Sequence, residues 1–256
     1  HNGNRVNSMA LRRHREQQGS IFQTAMDCEI VIHLMARHLD RGLQEAIKTT
    51  FSCIQGAYSL LLMTQDTMIA VRDPNGFRPL CLGVLENGAH VVASETCALD
   101  MMGATFVRDV EHGEIVVIDD SGLRSLKPFP ARVARPCLFE YVSFSRPDSV
   151  VNGRSVYEVR KEMGRGLARE LGVDADIVVP VPDSGVPAAM GYAAESGIPF
   201  ELGIIRNHYV GRTFIEPTDQ IRNLGVKLKH SANRPMLEGK RVILVDDSIV
   251  RGTTSK

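Results

Sequence analysis

The chain has 256 residues, enough for one large or two ordinary domains, and its 43 % apolar residues can supply full cores. Lys+Arg and Asp+Glu both number 30, so the net charge is zero, which argues against a general nucleic-acid binder. No apolar run is long enough for a membrane span, and we expect none.

The five cysteines are odd in number, scattered and without a C-x-x-C pair. This pattern argues against a disulfide framework and favours a reducing, cytoplasmic compartment. The chain starts at His1 without a Met and stops at Lys256 inside a candidate phosphate motif. We therefore expect it to be the middle of a longer protein.

The first four residues, His1-Asn2-Gly3-Asn4, contain a strong turn signal, because Asn and Gly both tolerate positive φ. The same pair also fits an oxyanion site. An Asn side-chain amide and a Gly N–H in one tight turn can both point at a developing negative oxygen. The residues alone favour the turn over the oxyanion site.

Helices and then hairpins are predicted for the rest of the first half. A polar helix covers Met9–Gln18, an apolar periodic helix runs to Leu39 with Asp27 as a candidate cap at its start, and another covers Leu43–Ile54. Strand signals follow, joined by turns such as Asn87-Gly88. Helices followed by antiparallel hairpins are typical of an α+β domain.

Prolines at 128, 130 and 136 punctuate the chain and predict a boundary after Phe129, which gives domains 1–129 and 130–256. In the second domain, Tyr157–Leu171 is an amphipathic helix. Its basic residues are predicted to form a solvated face: Arg160, Lys161, Arg165 and Arg169.

A strand, a tight turn and a helix are predicted next, over Asp176–Val181, Pro182–Gly185 and Val186–Glu195. A turn of this kind can offer backbone N–H groups to an anion. Another strand, Phe200–Ile205, leads into residues 206–217, whose arginines favour a mobile anion-gripping loop over an ordinary surface loop.

The most informative stretch is Arg241–Ser255. Val242–Val245 is predicted to be a short buried strand of a parallel sheet, and Asp246 and Asp247 stand where it ends, at the edge where α/β sheets bind ligands. The acids suit sugar hydroxyls or hydrated Mg²⁺, whereas the following residues suit a phosphate: Arg251, Gly252, Thr253, Thr254 and Ser255. The pattern predicts a ligand with a phosphate beside a ribose diol.

Three motifs carry a family resemblance. VDDSIVRGTTS at 245–255 resembles the phosphoribosyl-pyrophosphate (PRPP) loop of type I phosphoribosyltransferases, and with YVGRTFI at 209–215 it is most similar to glutamine PRPP amidotransferases. HNGN at 1–4 resembles the class II glutamine amidotransferase motif. The resemblance implies a partial α+β N-terminal-nucleophile glutaminase domain, followed by a partial α/β type I phosphoribosyltransferase domain.

At the glutamine end, the resemblance implies that Asn2 and Gly3 form the oxyanion hole and that Asp27 binds the glutamine α-amino group. The implied nucleophile is an N-terminal Cys that this chain does not contain, and none of its five cysteines replaces it. We therefore expect residues 1–256 alone to have no glutaminase activity.

At the PRPP end, the resemblance implies that Asp246 and Asp247 hold the ribose hydroxyls and position Mg²⁺, and that residues 251–255 hold the 5′-phosphate. Asp183 and Ser184 would belong to the pyrophosphate loop, with Ser184 near Mg²⁺. Arg206 and Arg212 would close over the pyrophosphate.

Cys137 has two open interpretations: a small buried apolar residue, or a ligand of a 4Fe–4S cluster, as in one branch of the family. The implied partners are glutamine, PRPP and feedback purine nucleotides, in a homo-oligomer (tetramer or dimer).

The implied reaction displaces pyrophosphate from PRPP with glutamine-derived ammonia, giving 5-phosphoribosylamine in the first step of de novo purine biosynthesis. The alternatives are a non-catalytic PRPP-binding regulatory protein, an ammonia-dependent remnant, and a different class II amidotransferase. Residues 1–126 argue against the regulatory protein, and the 245–255 loop argues against the other amidotransferases.

Overall fold

The computed structural model describes residues 1–130, 132–207 and 230–248. The chain divides into two compact units, His1–Cys137 and Leu138–Lys256. The first unit extends past the predicted boundary at Phe129, because the Arg135 and Cys137 N–H groups donate to the carbonyls of Asn75 and Phe77, at 2.7 and 2.9 Å. The assignment of domains to 1–129 and 130–256 stays a prediction.

The first unit consists of helices and two antiparallel sheets. In chain order its elements are β1 (Asn2–Arg5), α1 (Ser8–Gln17), α2 (Glu29–Ala36), a 3₁₀ turn (Leu39–Arg41), α3 (Leu43–Cys53), β2 (Gly56–Met63), β3 (Met68–Arg72), β4 (Cys81–Val84), β5 (His90–Ala93), α4 (Thr96–Met102), β6 (Thr105–Asp109), β7 (Ile115–Asp119) and β8 (Gly122–Leu126). One sheet has the order β1-β2-β3-β7-β8 and the other β5-β4-β6.

The larger sheet is covered on both faces. Ile69 on β3 packs with α2 and α3 through residues such as Leu34 and Phe51. Its neighbour Ala70 points to the opposite face and packs against Leu82 of the smaller sheet. This alternation follows from the two-residue period of a strand, and the layered arrangement confirms the predicted α+β class for the first unit.

The second unit contains parallel strands and two packed helices. Its elements are a π-helical turn (Glu140–Phe144), β9 (Val150–Val151), β10 (Arg154–Ser155), α5 (Val156–Glu170), β11 (Ile177–Pro180), α6 (Val186–Ser196), β12 (Ile204–Arg206), β13 (His230–Ala232), α7 (Arg234–Leu237) and β14 (Val242–Val245). β11 and β14 are parallel, with Pro180 opposite Val245. Tyr192 and Ala189 of α6 cover these strands at Val178 and Val245.

The helices α5 and α6 touch through their backbones. A Cβ on Gly164 would lie 1.9 Å from the Ala188 carbonyl oxygen, and one on Gly191 would lie 2.0 Å from the Lys161 carbonyl oxygen. Real Cβ atoms do not approach that closely, so each helix needs a glycine where the other passes.

Arg160 corrects one sequence prediction. The helical spacing predicts Arg160 on the solvated face, but the residue is only 3 % exposed. Nε donates to the Tyr141 carbonyl at 2.6 Å, and Nη2 donates to the Ser145 carbonyl at 2.7 Å. The π-helical turn at 140–144 leaves these carbonyls to be paired, and a buried cation is tolerated because it is hydrogen-bonded.

Two strand predictions need adjustment. The strand at Val242–Val245 is confirmed, but its expected burial throughout is wrong: Val245 is buried, whereas Val242 and Leu244 are 38 and 40 % exposed. Among the described residues β14 pairs only with β11. The strand predicted at 200–205 is Ile204–Arg206, and Phe200 forms only a bridge to Val178. None of the described helices could cross a membrane.

Candidate functional site

Asn2 and Gly3 lie on the edge strand β1, not in a free turn, and face Ser59 and Tyr58 of β2. Gly3 has φ +137°, and a Cβ there would lie 2.1 Å from the Ala57 carbonyl oxygen. Both facts require glycine, because an L side chain would be strained and would overlap β2. The chain therefore brings the two predicted oxyanion donors together on one tightly held strand.

The Asn2 side chain is oriented by a distant residue. Arg78 Nε donates a hydrogen bond to Asn2 Oδ1 at 3.0 Å. Since an amide oxygen and an amide nitrogen lie on opposite sides of the group, this bond leaves the Asn2 NH₂ on the other side, where it can donate. No local sequence pattern identifies Arg78 as the partner of Asn2.

Asp27 is held by Arg5, a second residue that sequence analysis did not single out. Arg5 Nη2 lies 2.7 Å from Asp27 Oδ1, and the Arg5 side chain is fully buried, whereas that of Asp27 is 34 % exposed. The expected cap is absent, because Cys28 is the N-cap of α2 and makes no side-chain cap bond. Asp27 is therefore free to present its exposed part to a ligand.

Glu29 organises the segment before α2 in place of an Asp27 cap. Its carboxylate accepts hydrogen bonds from the Gln23 N–H at 2.7 Å and from the N–H and hydroxyl of Thr24 at 2.9 and 2.7 Å. These bonds, led by that from Gln23, lower the pKa of Glu29 to about 2. Glu29 is thus an ionised structural anchor rather than a general base.

Two of the five cysteines are buried and poorly placed to act as nucleophiles. All five are free, and Cys81 and Cys97 are buried. Burial raises the pKa of the Cys81 thiol to about 12, which keeps it protonated and unreactive at neutral pH. The predicted nucleophile outside this chain stays a prediction.

In the second unit, the turn at 182–185 meets the end of β14. The Val181 N–H donates to the Val245 carbonyl at 2.8 Å. A Cβ on Gly185 would lie 2.4 Å from the same carbonyl oxygen, so only glycine allows this approach. Because β11 and β14 are parallel, Asp183 and Ser184 emerge at the same sheet edge as Asp246 and Asp247.

The charges at this edge are of both signs. Burial raises the pKa of Asp246 above its usual value, although it accepts a hydrogen bond from the Asp247 N–H at 2.9 Å. Ser248 Oγ donates to Asp247 Oδ1 at 3.0 Å. Arg206 pairs with Asp183, so two predicted pyrophosphate contacts are brought together.

Carboxylates of this kind suit a divalent cation. Mg²⁺ is commonly held by one or two carboxylates together with substrate phosphates, and a half-buried Asp246 would gain from a neighbouring cation. Within 1–130, 132–207 and 230–248, no group of three or more His, Cys, Asp or Glu residues forms a metal site. Asp246 and Asp247 are thus the candidate carboxylates for a cation that is held together with a phosphate ligand.

The remaining predicted residues fall in three places. Arg212 and residues 251–255 lie outside the described residues. Cys137 is half-buried, and its N–H is bound to the Phe77 carbonyl. The part of the chain described here gives Cys137 no partner ligand for a cluster.

Comparison with known proteins agrees with this geometry. Residues 1–101 match a family model described as a glutamine amidotransferase domain. Over its whole length, the chain is 59 % identical to the amidophosphoribosyltransferase of Rhizobium etli, and the match covers 52 % of that protein. It is also 52 % identical to the amidophosphoribosyltransferase of Bacillus subtilis, and that match covers 54 % of the B. subtilis protein. The chain is a homologue of the amidophosphoribosyltransferases. It spans about half the length of the curated relatives it matches.

Solved structures support the same relationship. The chain matches the glutamine PRPP amidotransferase of B. subtilis complexed with ADP and GMP, with a TM-score of 0.91 and 51 % identity over 99 % of this chain and 56 % of that one. A structure described as the allosteric regulatory enzyme of purine biosynthesis gives a TM-score of 0.90 at 51 % identity, over 99 % of this chain and 54 % of that one. The homology to amidophosphoribosyltransferases therefore holds in sequence and in structure.

Proposed function

We propose that this chain belongs to an enzyme that hydrolyses glutamine and uses the released ammonia to displace pyrophosphate from PRPP. The products are glutamate, 5-phosphoribosylamine and pyrophosphate, in the first step of purine synthesis. The observation that carries the proposal is the joint presence, in one chain, of the tightly held Asn2-Gly3 strand and the acidic edge at Asp246-Asp247. The amidophosphoribosyltransferase name of the relatives supports it.

At the glutamine end, a thiolate attacks the side-chain amide carbon and negative charge develops on its oxygen. The Asn2 NH₂ and the Gly3 N–H donate to that oxygen, where the charge appears only in the transition state. Asp27 holds the substrate ammonium group. Collapse of the intermediate releases ammonia and leaves a thioester, which water hydrolyses to glutamate.

At the PRPP end, ammonia attacks C1 of the ribose as pyrophosphate leaves. Asp246 and Asp247 hold the ribose hydroxyls, residues 251–255 hold the 5′-phosphate, and Asp183, Ser184, Arg206 and Arg212 face the pyrophosphate. Mg²⁺, when bound by Asp246, Asp247 and Ser184, supplies positive charge to the departing pyrophosphate.

Regulation and assembly belong to the same proposal. Purine nucleotides are proposed feedback ligands, because the B. subtilis relative was solved with ADP and GMP. The proposed assembly is a homo-oligomer, a dimer or tetramer, and the proposed compartment is the cytoplasm. The described residues give no support to a cluster role for Cys137.

The test compares two nitrogen sources in the full-length protein that carries this chain. With PRPP and Mg²⁺, phosphoribosylamine is expected from either glutamine or ammonium. Asn2→Ala should lower only the glutamine-dependent reaction, by roughly 100- to 1,000-fold, whereas Asp247→Asn should reduce both. Asp120→Asn, an exposed turn position, is the matched control and should change neither.

Two outcomes would contradict the proposal. A protein that binds PRPP but forms no product from either nitrogen source would be a regulatory PRPP-binding protein. A protein that uses ammonium but never glutamine would be an ammonia-dependent enzyme, and the proposed roles of Asn2 and Gly3 would be wrong.

A further inference from the structure

The contact between Arg78 and Asn2 carries an inference about how the oxyanion donors are set. A carboxamide can adopt two orientations that exchange its oxygen and its nitrogen. Only one of them presents N–H groups to a developing oxyanion. Something in the protein must therefore select the orientation of Asn2 before the substrate arrives.

Arg78 can make that selection because its guanidinium only donates. Its Nε lies 3.0 Å from Asn2 Oδ1 in a partly buried contact. In the opposite orientation the Asn2 NH₂ would face the guanidinium, donor against donor. The positive charge also polarises the amide, which makes the outward N–H groups stronger donors.

The backbone of Arg78 is held by β2, the strand that pairs with Asn2, and by the neighbouring strand β3. Its carbonyl accepts hydrogen bonds from Ser59 Oγ at 3.1 Å and from Arg72 Nε at 2.9 Å. Ser59 is the residue opposite Asn2 in the β1–β2 register. Arg78 is thus tied to the strand that pairs with its own target.

The turn that leads to Arg78 is fixed by a buried carboxylate. Asp73 is fully buried and accepts hydrogen bonds from the N–H groups of Tyr58, Asn75 and Phe77, at 3.3, 2.9 and 3.1 Å. Arg72 also donates to the carbonyls of Val110 and Gly76. A turn with so many bonds keeps the Arg78 side chain in one place.

We propose that Arg78 is a positioning residue that holds the Asn2 amide with its NH₂ directed at the oxyanion. The inference rests on the proposed function, because it assigns Asn2 to the oxyanion hole. In this role Arg78 would act only through Asn2 and would not itself contact the substrate or the reacting atoms. Its effect is expected only where Asn2 acts, in the glutamine half-reaction.

The kinetic test uses the full-length protein with Arg78→Gln and Arg78→Lys. Losing an oxyanion donor outright costs roughly 100- to 1,000-fold in kcat, so a misdirected donor should cost about 10- to 100-fold. The KM for glutamine should stay unchanged, because the oxyanion exists only in the transition state. Arg78→Lys, which keeps one donor, should recover part of the loss, and the ammonium-dependent rate should not change.

A double-mutant cycle separates positioning from a general structural role. In an Asn2→Ala background, Arg78→Gln should change the residual glutaminase kcat by less than about twofold, since the group it positions is gone. A loss that multiplies with that of Asn2→Ala would overturn the inference. Arg13→Gln, at an exposed position on α1, is the matched loss of an arginine and should have no effect in either background.

A measurement without turnover keeps the inference testable if the protein proves inactive with glutamine. The side-chain ¹⁵N–¹H₂ signals of Asn2 can be assigned by their loss in Asn2→Ala. Arg78→Gln should shift or broaden them, and Arg13→Gln should not. Unchanged Asn2 signals would refute the positioning role, whereas absent glutaminase activity with shifted signals would refute only the proposed function.

Discussion

Two glycines in α5, two residues apart, allow a sharp test of the packing in the second unit. Gly164 lies against Ala188 of α6, whereas a Cβ on Gly166 would meet nothing within 4 Å. Replacing either glycine by alanine in a helix interior should gain about 0.5–1 kcal/mol from reduced backbone entropy in the unfolded chain. The two variants therefore share the same entropic gain in stability and differ only in whether the new methyl group overlaps α6.

The overlap sets the size of that difference. A Cβ at Gly164 would lie 1.9 Å from the Ala188 carbonyl oxygen. Carbon and carbonyl oxygen normally stay at least about 3.3 Å apart, so the helices would have to separate by roughly 1.4 Å. Overpacking of this kind costs about 1–3 kcal/mol. Gly164→Ala should be less stable than Gly166→Ala by about that amount.

Urea unfolding of the two variants, followed by far-UV circular dichroism, measures this difference. The slopes of the transitions should match, so that a shift in midpoint reports stability. Hydrogen exchange of residues 156–170 should show earlier opening in Gly164→Ala alone. Equal stability of the two variants would refute the inferred backbone contact between α5 and α6.

Three further predictions concern the first unit. Burial alone would raise the pKa of Glu114, but hydrogen bonds from Arg108, Ser125 and the Glu111 N–H lower it below the unfolded-state value. Glu114 therefore stabilises the fold at pH values above its unfolded-state pKa, and this stabilisation is lost as the pH falls through its folded-state pKa. Glu114→Gln should make the free energy of unfolding less dependent on pH in that range. Gly3→Ala should reduce the free energy of unfolding by roughly 2–4 kcal/mol, because the new side chain would strain the backbone and overlap the Ala57 carbonyl. Gly88 also has a positive φ, +83°, but its Cβ would meet no atom within 4 Å, so Gly88→Ala should lose only about 1 kcal/mol. Urea titration measures both values. Asp27→Asn should lower the free energy of unfolding by roughly 2–4 kcal/mol, because it leaves the buried Arg5 cation unpaired. Arg5→Met should lower it by less than about 1 kcal/mol. Equal losses of stability for the two variants in thermal unfolding would contradict this asymmetry.

Much of the local structure follows from short-range signals. The α+β class was readable because helical periods precede alternating strands, and Asn87-Gly88 marks the hairpin between β4 and β5. The strand–turn–helix at 177–196 was readable for the same reason. Such patterns depend on neighbours a few residues apart, which a sequence displays directly.

The side-chain contacts that complete the candidate site join residues far apart in the sequence. Arg78 and Asn2 are 76 positions apart, and no period links them. The burial of Arg160 could not be predicted, because its spacing fits a polar helix face. Its partners are carbonyls at a π-helical turn, which no sequence pattern predicts. Long-range partners of arginines depend on tertiary packing and could not be predicted from local residue types.

The Arg5–Asp27 pair has an evolutionary consequence. Arg5 is wholly buried on the strand that carries Asn2 and Gly3, while Asp27 keeps about a third of its side chain in solvent. A lineage that replaced the pair by neutral residues would pass through a state with one unbalanced charge. Losing Arg5 first leaves the Asp27 carboxylate, which water can still reach. Losing Asp27 first leaves the Arg5 cation buried without its partner carboxylate. Substitutions at these two positions are therefore epistatic, and the arginine is the one expected to change first.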